Sequence, residues 1–173
     1  MDHLQSDDRL MASAALGSRE AFDAIVRRHQ DWVQRFAARM LGGDTSEGSV
    51  IAVEAFVRLW KHRGAVIGSP RAWLARTAYR LCVDSLRAQS PNAVASSEVG
   101  CAMEVEQAAL GRALRDAVVA LPEGQRAVLI LSVYEQMSYE EISEALSIPL
   151  GTVGSRKNLA IASLRRSLAG WED

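Results

Sequence analysis

Residues 138–166 read SYEEISEALSIPLGTVGSRKNLAIASLRR, and the pattern of this stretch decides the fold. Ser138 stands where a helix N-cap belongs. Glu141 follows three residues later, the spacing of a capping box in which each side chain satisfies the other residue's free backbone N–H. Ile142, Ala145 and Leu146 recur at helical spacing and mark an apolar face. Ser147, Ile148 and Pro149 interrupt that helix, and Pro149 suits the first turn of a new one, where its missing N–H costs nothing. In the second helix Val153, Leu159 or Ala160, and Leu164 face inward, while Ser155, Arg156 and Lys157 lie on the outer side. Two short helices joined by a tight turn, the second basic in its N-terminal half, have the layout of a helix-turn-helix, whose second helix enters the DNA major groove. The competing reading is an ordinary αα-hairpin with a solvated basic face.

Composition sets the bounds. A chain of 173 residues makes one medium domain or two small ones. A hydrophobic content of 49% supports packed cores, and only 6% of residues are aromatic. Few β-branched runs are bounded by turn signals, so an all-α protein is expected. No apolar run reaches the length of a membrane span. The N-terminus, MDHLQSDDRLM, is acidic and lacks the apolar centre of a secretory signal, which points to a cytoplasmic protein. Cys82 and Cys101 have no metal-ligand spacing and read as two reduced cytosolic thiols. His3, His29 and His62 are scattered. There is no Gly-rich phosphate loop and no nucleophile–base constellation, so neither an enzyme nor a cofactor is expected. The acidic pairs Asp7–Asp8 and Glu140–Glu141 read as helix N-terminal charges favoured by the dipole.

A net charge of −1 argues at first against a nucleic-acid binder, but its distribution argues for one. Residues 1–57 carry −3, residues 58–87 carry +6, residues 88–146 carry −6 and residues 147–173 carry +2. Two basic segments alternating with two acidic ones fit a protein that touches DNA at two places and another protein elsewhere. In the basic block Arg58, Lys61, Arg63, Arg71, Arg76, Arg80 and Arg87 surround Trp60, Trp73 and Tyr79, where cations can hold a strand's backbone and a base can leave the stack. Trp60 and Trp73 fall on inward helix faces and read as core; Tyr79 is undecided.

The chain divides near residues 89–104, where AQSPNAVASSEVGCAME (88–104) has no sustained apolar period and reads as a flexible linker. Upstream, residues 1–88 predict four helices, at about 8–16, 18–41, 49–62 and from Ser69-Pro70 to 89. The second has an inner stripe of Phe22, Ile25, Val26, Val33, Phe36, Ala37 and Met40. The third turns Ile51, Phe56, Leu59 and Trp60 inward. Downstream, residues 105–173 predict a second four-helix unit, at 105–120, 124–134, 138–146 and 150–169, with Trp171 as a packing cap.

These residues together resemble a known family. Leu121-Pro122, Gln125-Arg126, Ser138-Tyr139-Glu140-Glu141-Ile142, Pro149-Leu150-Gly151-Thr152-Val153 and Ser155-Arg156 carry the likeness downstream. Ala21-Phe22, Phe56-Val57-Arg58-Leu59-Trp60, Trp73-Leu74, Asp84 and Arg87 carry it upstream. The chain is similar over nearly its whole length to the extracytoplasmic-function (ECF) sigma factors of bacteria, of the minimal two-domain type. The resemblance implies a non-enzymatic protein that binds core RNA polymerase, directs it to promoter DNA and helps to melt it. Residues 1–88 would be the region 2-like domain, and residues 105–173 the region 4-like domain. An anti-sigma factor would clamp both domains and hide their DNA faces.

The implied roles follow residue by residue. Thr152, Ser155, Arg156 and Lys157 would read the minus-thirty-five element; Lys61, Arg63, Arg71, Arg76, Tyr79, Arg80 and Arg87 would hold the minus-ten strand, with a base pocket in the loop 63–69. Three departures stand out. Gly154 replaces a usual basic residue, Arg80 a frequent Asn, and the acidic, Gln-containing polymerase-docking patch has become Ser49, Val50 and Val53, leaving Glu54 with Glu47 nearby. Three explanations of that patch compete. A Ser/Thr kinase could restore charge at Thr45, Ser46 or Ser49, since a phosphate adds roughly −1.5 to −2. The chain could instead be a sigma-like decoy for an anti-sigma factor. It could also be a stand-alone helix-turn-helix regulator, which usually dimerises on a palindromic site.

Overall fold

The structure, a computed structural model, describes residues 6–66, 68–88 and 104–169. Among these residues lie eight α-helices and no strand. They are α1 (Asp7–Ala15), α2 (Arg19–Met40), α3 (Thr45–His62), α4 (Pro70–Ala88), α5 (Glu104–Val119), α6 (Glu123–Leu129), α7 (Tyr139–Leu146) and α8 (Leu150–Ser167). The all-α expectation is met. The expected linker, Cys101 and Trp171 lie outside the described residues. No described helix is long and apolar enough to cross a membrane.

Local capping chemistry explains most of the helix starts. The side chains of Ser6 and Ser18 accept from Arg9 N and Ala21 N, which satisfies donors that the first turn leaves open. Asp44 does the same twice, accepting from Ser46 N and Glu47 N at 2.9 Å each. That cap corrects the sequence reading of the third helix, which begins at Thr45 and not at 49. Gly42 and Gly43 end α2 with φ of +80° and +100°, and Gly43 N donates to Ala38 O at 2.7 Å. A side chain would strain both positions. The helix expected over 124–134 stops as an α-helix at Leu129 and continues as a π-helical turn over Ile130–Tyr134.

The upstream core forms around α2. Ile25, Val33, Phe36, Ala37 and Met40 are fully buried, with Ala55 and Leu59 of α3 and Leu74, Ala75, Ala78 and Cys82 of α4. Burial pushes the Cys82 thiol up to about 12, with Glu47 adding to it. The predicted stripe needs two corrections. Phe22 and Val26 are only partly buried, while Trp32, absent from the stripe, is in the core. Phe22 and Val26 sit at the rim where α2 meets α3, and Trp32 packs where its indole N–H has a buried partner in His29. The helices α2 and α3 cross closely at Gly48, where a Cβ would stand 2.8 Å from Ala38 N and 3.0 Å from Gln34 O.

Downstream, Ala127, Val128, Ile130, Leu131, Ile142, Ala145 and Val153 close the other half. The open choice in α8 falls to Ala160, fully buried, while Leu159 is exposed. A satellite cluster joins Val118, Leu121, Leu129 and Ala160. The main apolar cluster runs without a break from Leu10 to Val153, so the two halves share one core. Buried Arg126 ties them further, donating to Met40 O in α2 and to Val119 O and Leu121 O in its own half.

Candidate functional site

The helix-turn-helix is built as its sequence predicts. Ser138 N donates to Glu141 Oε2 at 2.7 Å, and Glu141 N donates back to Ser138 Oγ at 3.1 Å, closing the capping box. Ser147 ends α7 in the left-handed region at φ +53°, and Ser143 Oγ secures the turn through Ile148 O at 2.6 Å. Pro149 then opens α8. Fully buried Ile142, Ala145 and Val153 hold the two helices together. This packing orients the start of α8. Ser155 is exposed and donates to Thr152 O. Lys157 Nζ lies 5.3 Å from the Tyr139 ring centroid, within cation–π range. Arg156 is folded back: a Cβ on Gly124 would lie 2.9 Å from its Nη1. So Thr152, Ser155 and Lys157 remain on the outer side, while Arg156 turns toward α6.

The basic residues expected to hold the minus-ten strand divide into three groups. Lys61 and Arg80 are exposed. Arg63 is drawn inward, donating to Ala14 O at 3.1 Å and to Trp60 O at 2.7 Å, with its guanidinium 4.0 Å from the Trp60 ring centroid. Trp73 packs partly buried against the core, as expected. Trp60 does not join the core but packs on Phe22 at 4.9 Å and lines the open side between α2 and α3, which corrects its reading as an inward residue. Tyr79 is half-buried; burial raises its phenol, and Glu123 adds to the effect. Arg71, Arg76 and Arg87 all point to the downstream half. Arg71 donates to Glu135 O and lies 3.6 Å from the Glu141 carboxylate. Arg76 donates to Ala145 O at 3.2 Å and to Glu144 O. Arg87 pairs with Glu123 at 3.2 Å.

The α3 positions where the resemblance implies an acidic docking patch have a different character from charge. Glu47 accepts from Ser85 Oγ of α4, and Glu54 is taken by Arg58 at 2.7 Å. Ser49 donates to Thr45 O at 2.7 Å and accepts from Gln34 Nε2 at 2.6 Å. Thr45 and Ser46 are exposed in the first turn. What α3 offers solvent is apolar: Val50 is 67% exposed, Val53 64% and Val57 40%. Spaced at i, i+3 and i+7, they form one stripe. It borders a groove of about 640 Å³ between α2 and α3, lined by Phe22, Val26, Val53, Phe56, Val57 and Trp60 among others. The groove accounts for the partial exposure of Phe22 and Val26.

Sequence reasoning missed Glu135. It is buried, 3.1 Å from Arg39 and 3.8 Å from Arg35. Burial pushes its carboxyl up against the pull of Arg35, Arg39 and Arg71. Arg39 also lies over Tyr134, 4.4 Å from the ring centroid. The three arginines come from two helices distant in sequence, and no local spacing announces such a cluster.

Comparison with known proteins places this geometry. The Sigma-70 region 2 model matches residues 25–91 and the Sigma-70 region 4 model matches residues 111–164. The ECF RNA polymerase sigma factor SigW of Bacillus subtilis (strain 168) is 32% identical, over 88% of this chain and 91% of its own length. The ECF RNA polymerase sigma factor SigM of Mycobacterium tuberculosis (strain ATCC 25618 / H37Rv) is 33% identical, over 96% and 86%. Among solved structures, CnrH in complex with the cytosolic domain of CnrY superposes with a TM-score of 0.76 at 25% identity, covering 98% of this chain and all of that one. The sigma factor RpoE of Bartonella quintana, in complex with the anti-sigma factor NepR, shares the fold with a TM-score of 0.66.

Proposed function

The chain belongs to the ECF RNA polymerase sigma factors, and from that membership we propose how its residues divide the work of promoter recognition. The observation that carries the reading is the capped α7–turn–α8 unit with Thr152, Ser155 and Lys157 on the outer side of α8. Polar and cationic side chains at the start of a recognition helix pair with base edges and phosphates of the upstream promoter element. Arg156 joins them once it leaves Gly124. The α4 face, with Arg71, Arg76, Tyr79, Arg80 and Arg87, holds the minus-ten strand, supported by Lys61 and Arg63. Guanidinium groups bind phosphate oxygens in bidentate fashion, independently of sequence.

Core polymerase docks on α3. Val50 and Val53 with the adjoining groove supply apolar contact, rimmed by Ser49, Glu47 and Glu54. Phosphate addition at Thr45 or Ser46 is sterically open; at Ser49 it would first have to break two hydrogen bonds. A partner of the anti-sigma class fits the likeness to CnrH, which is bound to the cytosolic domain of CnrY.

Run-off transcription with core polymerase and the protein's own promoter tests the assignment. Specific initiation is the expected result. Core binding without initiation would favour the decoy reading, for which the exposed valines of α3 are the specific support. DNA binding without core would favour a stand-alone regulator.

A further inference from the structure

The exposed side of α3 is spaced as a seam for another helix. Val50, Val53, Val57 and Trp60 recur at steps of three, four and three residues, the alternation by which two helices interdigitate at a shallow crossing angle. The three valines are exposed, and Trp60 lines the groove beside them. Valine is stiff at its first side-chain torsion, so covering it costs little rotamer freedom.

The charges along the edge of this seam select its occupant. Glu47, Glu54 and Lys61 follow one another at intervals of seven residues. Glu54 is neutralised by Arg58 of its own helix at 2.7 Å. The edge therefore has an acid at one end and a base at the other, with Glu54 midway. A second α3 laid antiparallel about that midpoint sets Glu47 against the second copy's Lys61, and Lys61 against the second copy's Glu47. Val53 then faces the second copy's Val57, and Val50 its Trp60. Glu47 already accepts from Ser85 Oγ, and a carboxylate has room for further donors. Antiparallel helices also bring opposite dipole ends together. One two-fold axis satisfies both ends of the edge with the same patch on each chain. The acidic residues that the resemblance implies at positions 49 and 50 would repel their counterparts across that axis, whereas Ser49 and Val50 do not.

We propose that α3 is a self-association surface: two copies of the free chain pair antiparallel through Val50, Val53, Val57 and Trp60, with Glu47 and Lys61 closing the seam at both ends. A single helix face is small for a protein interface, so the dimer is weak, with a dissociation constant on the order of tens of micromolar. Self-association and polymerase binding exclude one another, a consequence that rests on α3 being the polymerase dock.

Sedimentation equilibrium of the full-length protein, without polymerase or DNA, tests the pairing. Wild-type protein should pass from monomer to dimer between about 1 and 100 μM. Val53→Asp should weaken dimerisation on the order of tenfold or more by placing two carboxylates near the axis. Lys61→Glu sets acid against acid at both ends and should weaken it several-fold, as should Glu47→Lys, which sets base against base. An equimolar mixture of K61E and E47K restores an opposite pair at each end, and it should dimerise more tightly than either variant alone. Circular dichroism checks that each variant is folded. Val53 and Lys61 are exposed, so V53D and K61E decide the proposal even where E47K does not fold. Wild-type protein that stays monomeric at 100 μM (about the top of that range), a dimer that folded V53D or K61E leaves unweakened, or a mixture of folded variants no tighter than its components each overturns the proposal. Specific initiation by wild-type protein with core polymerase tests the sigma assignment separately, because it does not depend on self-association of the free chain.

Discussion

Trp32 of α2 donates its indole N–H to Nδ1 of His29 at 2.8 Å, and the other ring nitrogen of His29, Nε2, lies 2.8 Å from Asp7 Oδ2 of α1. With Nδ1 accepting, Nε2 carries the proton and donates to the carboxylate, so the buried imidazole is neutral. The groups facing it are Asp7, Arg28 and Arg71. Burial depresses its pKa below the usual 6.5; Asp7 opposes that, and Arg71 and Arg28 add to it. A depressed base contributes stability that is present above its unfolded value and lost as pH falls through the folded one. The attachment of α1 should therefore weaken below about pH 6.5. Burial raises the Asp7 carboxyl, but the Arg28 hydrogen bond and the nearby His29 hold it below 3.8, so it titrates well under that window. Melting temperature measured against pH should fall through the histidine range. His29→Gln should flatten that fall and cost about 1–3 kcal/mol near neutral pH by disturbing buried partners.

Gly48 tests the packing of α2 on α3. Alanine in place of glycine inside a helix ordinarily gains about 1 kcal/mol. Here the new methyl would stand 2.8 Å from Ala38 N and 3.0 Å from both Ala38 Cβ and Gln34 O. Two of those neighbours are backbone atoms and cannot rotate aside. Overpacking of this kind costs about 1–3 kcal/mol, which reverses the sign. Urea denaturation of Gly48→Ala should show a lower midpoint with an unchanged slope.

The residues that announced themselves in the sequence are those whose partners are near in the chain. Ser138 and Glu141 meet within one turn, so the capping box was legible, and with it the helix-turn-helix. The start of α3 was not, because it turned on Asp44 capping two N–H groups rather than on the first apolar residue. The period of α2 identified a stripe, but period alone does not say which edge a neighbour covers. That is how Trp32 was missed, and how Phe22 and Val26 were placed inside when they line an open groove. The contacts of Arg71 and Arg76 were illegible altogether. Their acceptors are backbone carbonyls 64 to 69 residues away, and a carbonyl leaves no mark on composition or spacing. The charge map found these arginines but assigned them only to DNA.

Lys157 offers a direct check of the recognition helix. Its ammonium rests 5.3 Å from the Tyr139 ring centroid, on a flexible stem that can carry it to a phosphate. A phosphate-binding cation contributes to affinity for every sequence alike. In holoenzyme bound to promoter DNA, Lys157→Ala should weaken binding uniformly across upstream-element variants and lower the salt slope by about one. Ser155→Ala, by contrast, should change the ranking of those variants while leaving the slope intact. Equal effects of both substitutions on every sequence would remove Ser155 from base reading.

Val53 decides how polymerase is held. Exposed at 64% beside Val50 and the α2–α3 groove, it can bury apolar area that an acidic residue could not. Covering a valine side chain is worth about 1.5–3 kcal/mol. Ion pairs between exposed groups weaken with salt as the screening length shortens, whereas apolar burial does not. Binding of wild-type protein to core polymerase should therefore change little with salt. Val53→Asp should weaken it by roughly tenfold or more, while oligonucleotide binding by the free protein stays as it was. Tighter binding by Val53→Asp, lost again at high salt, would mean that the polymerase surface opposite α3 is basic. Docking would then run on charge, and added phosphate at Thr45 or Ser46 would become the natural way for this chain to supply it.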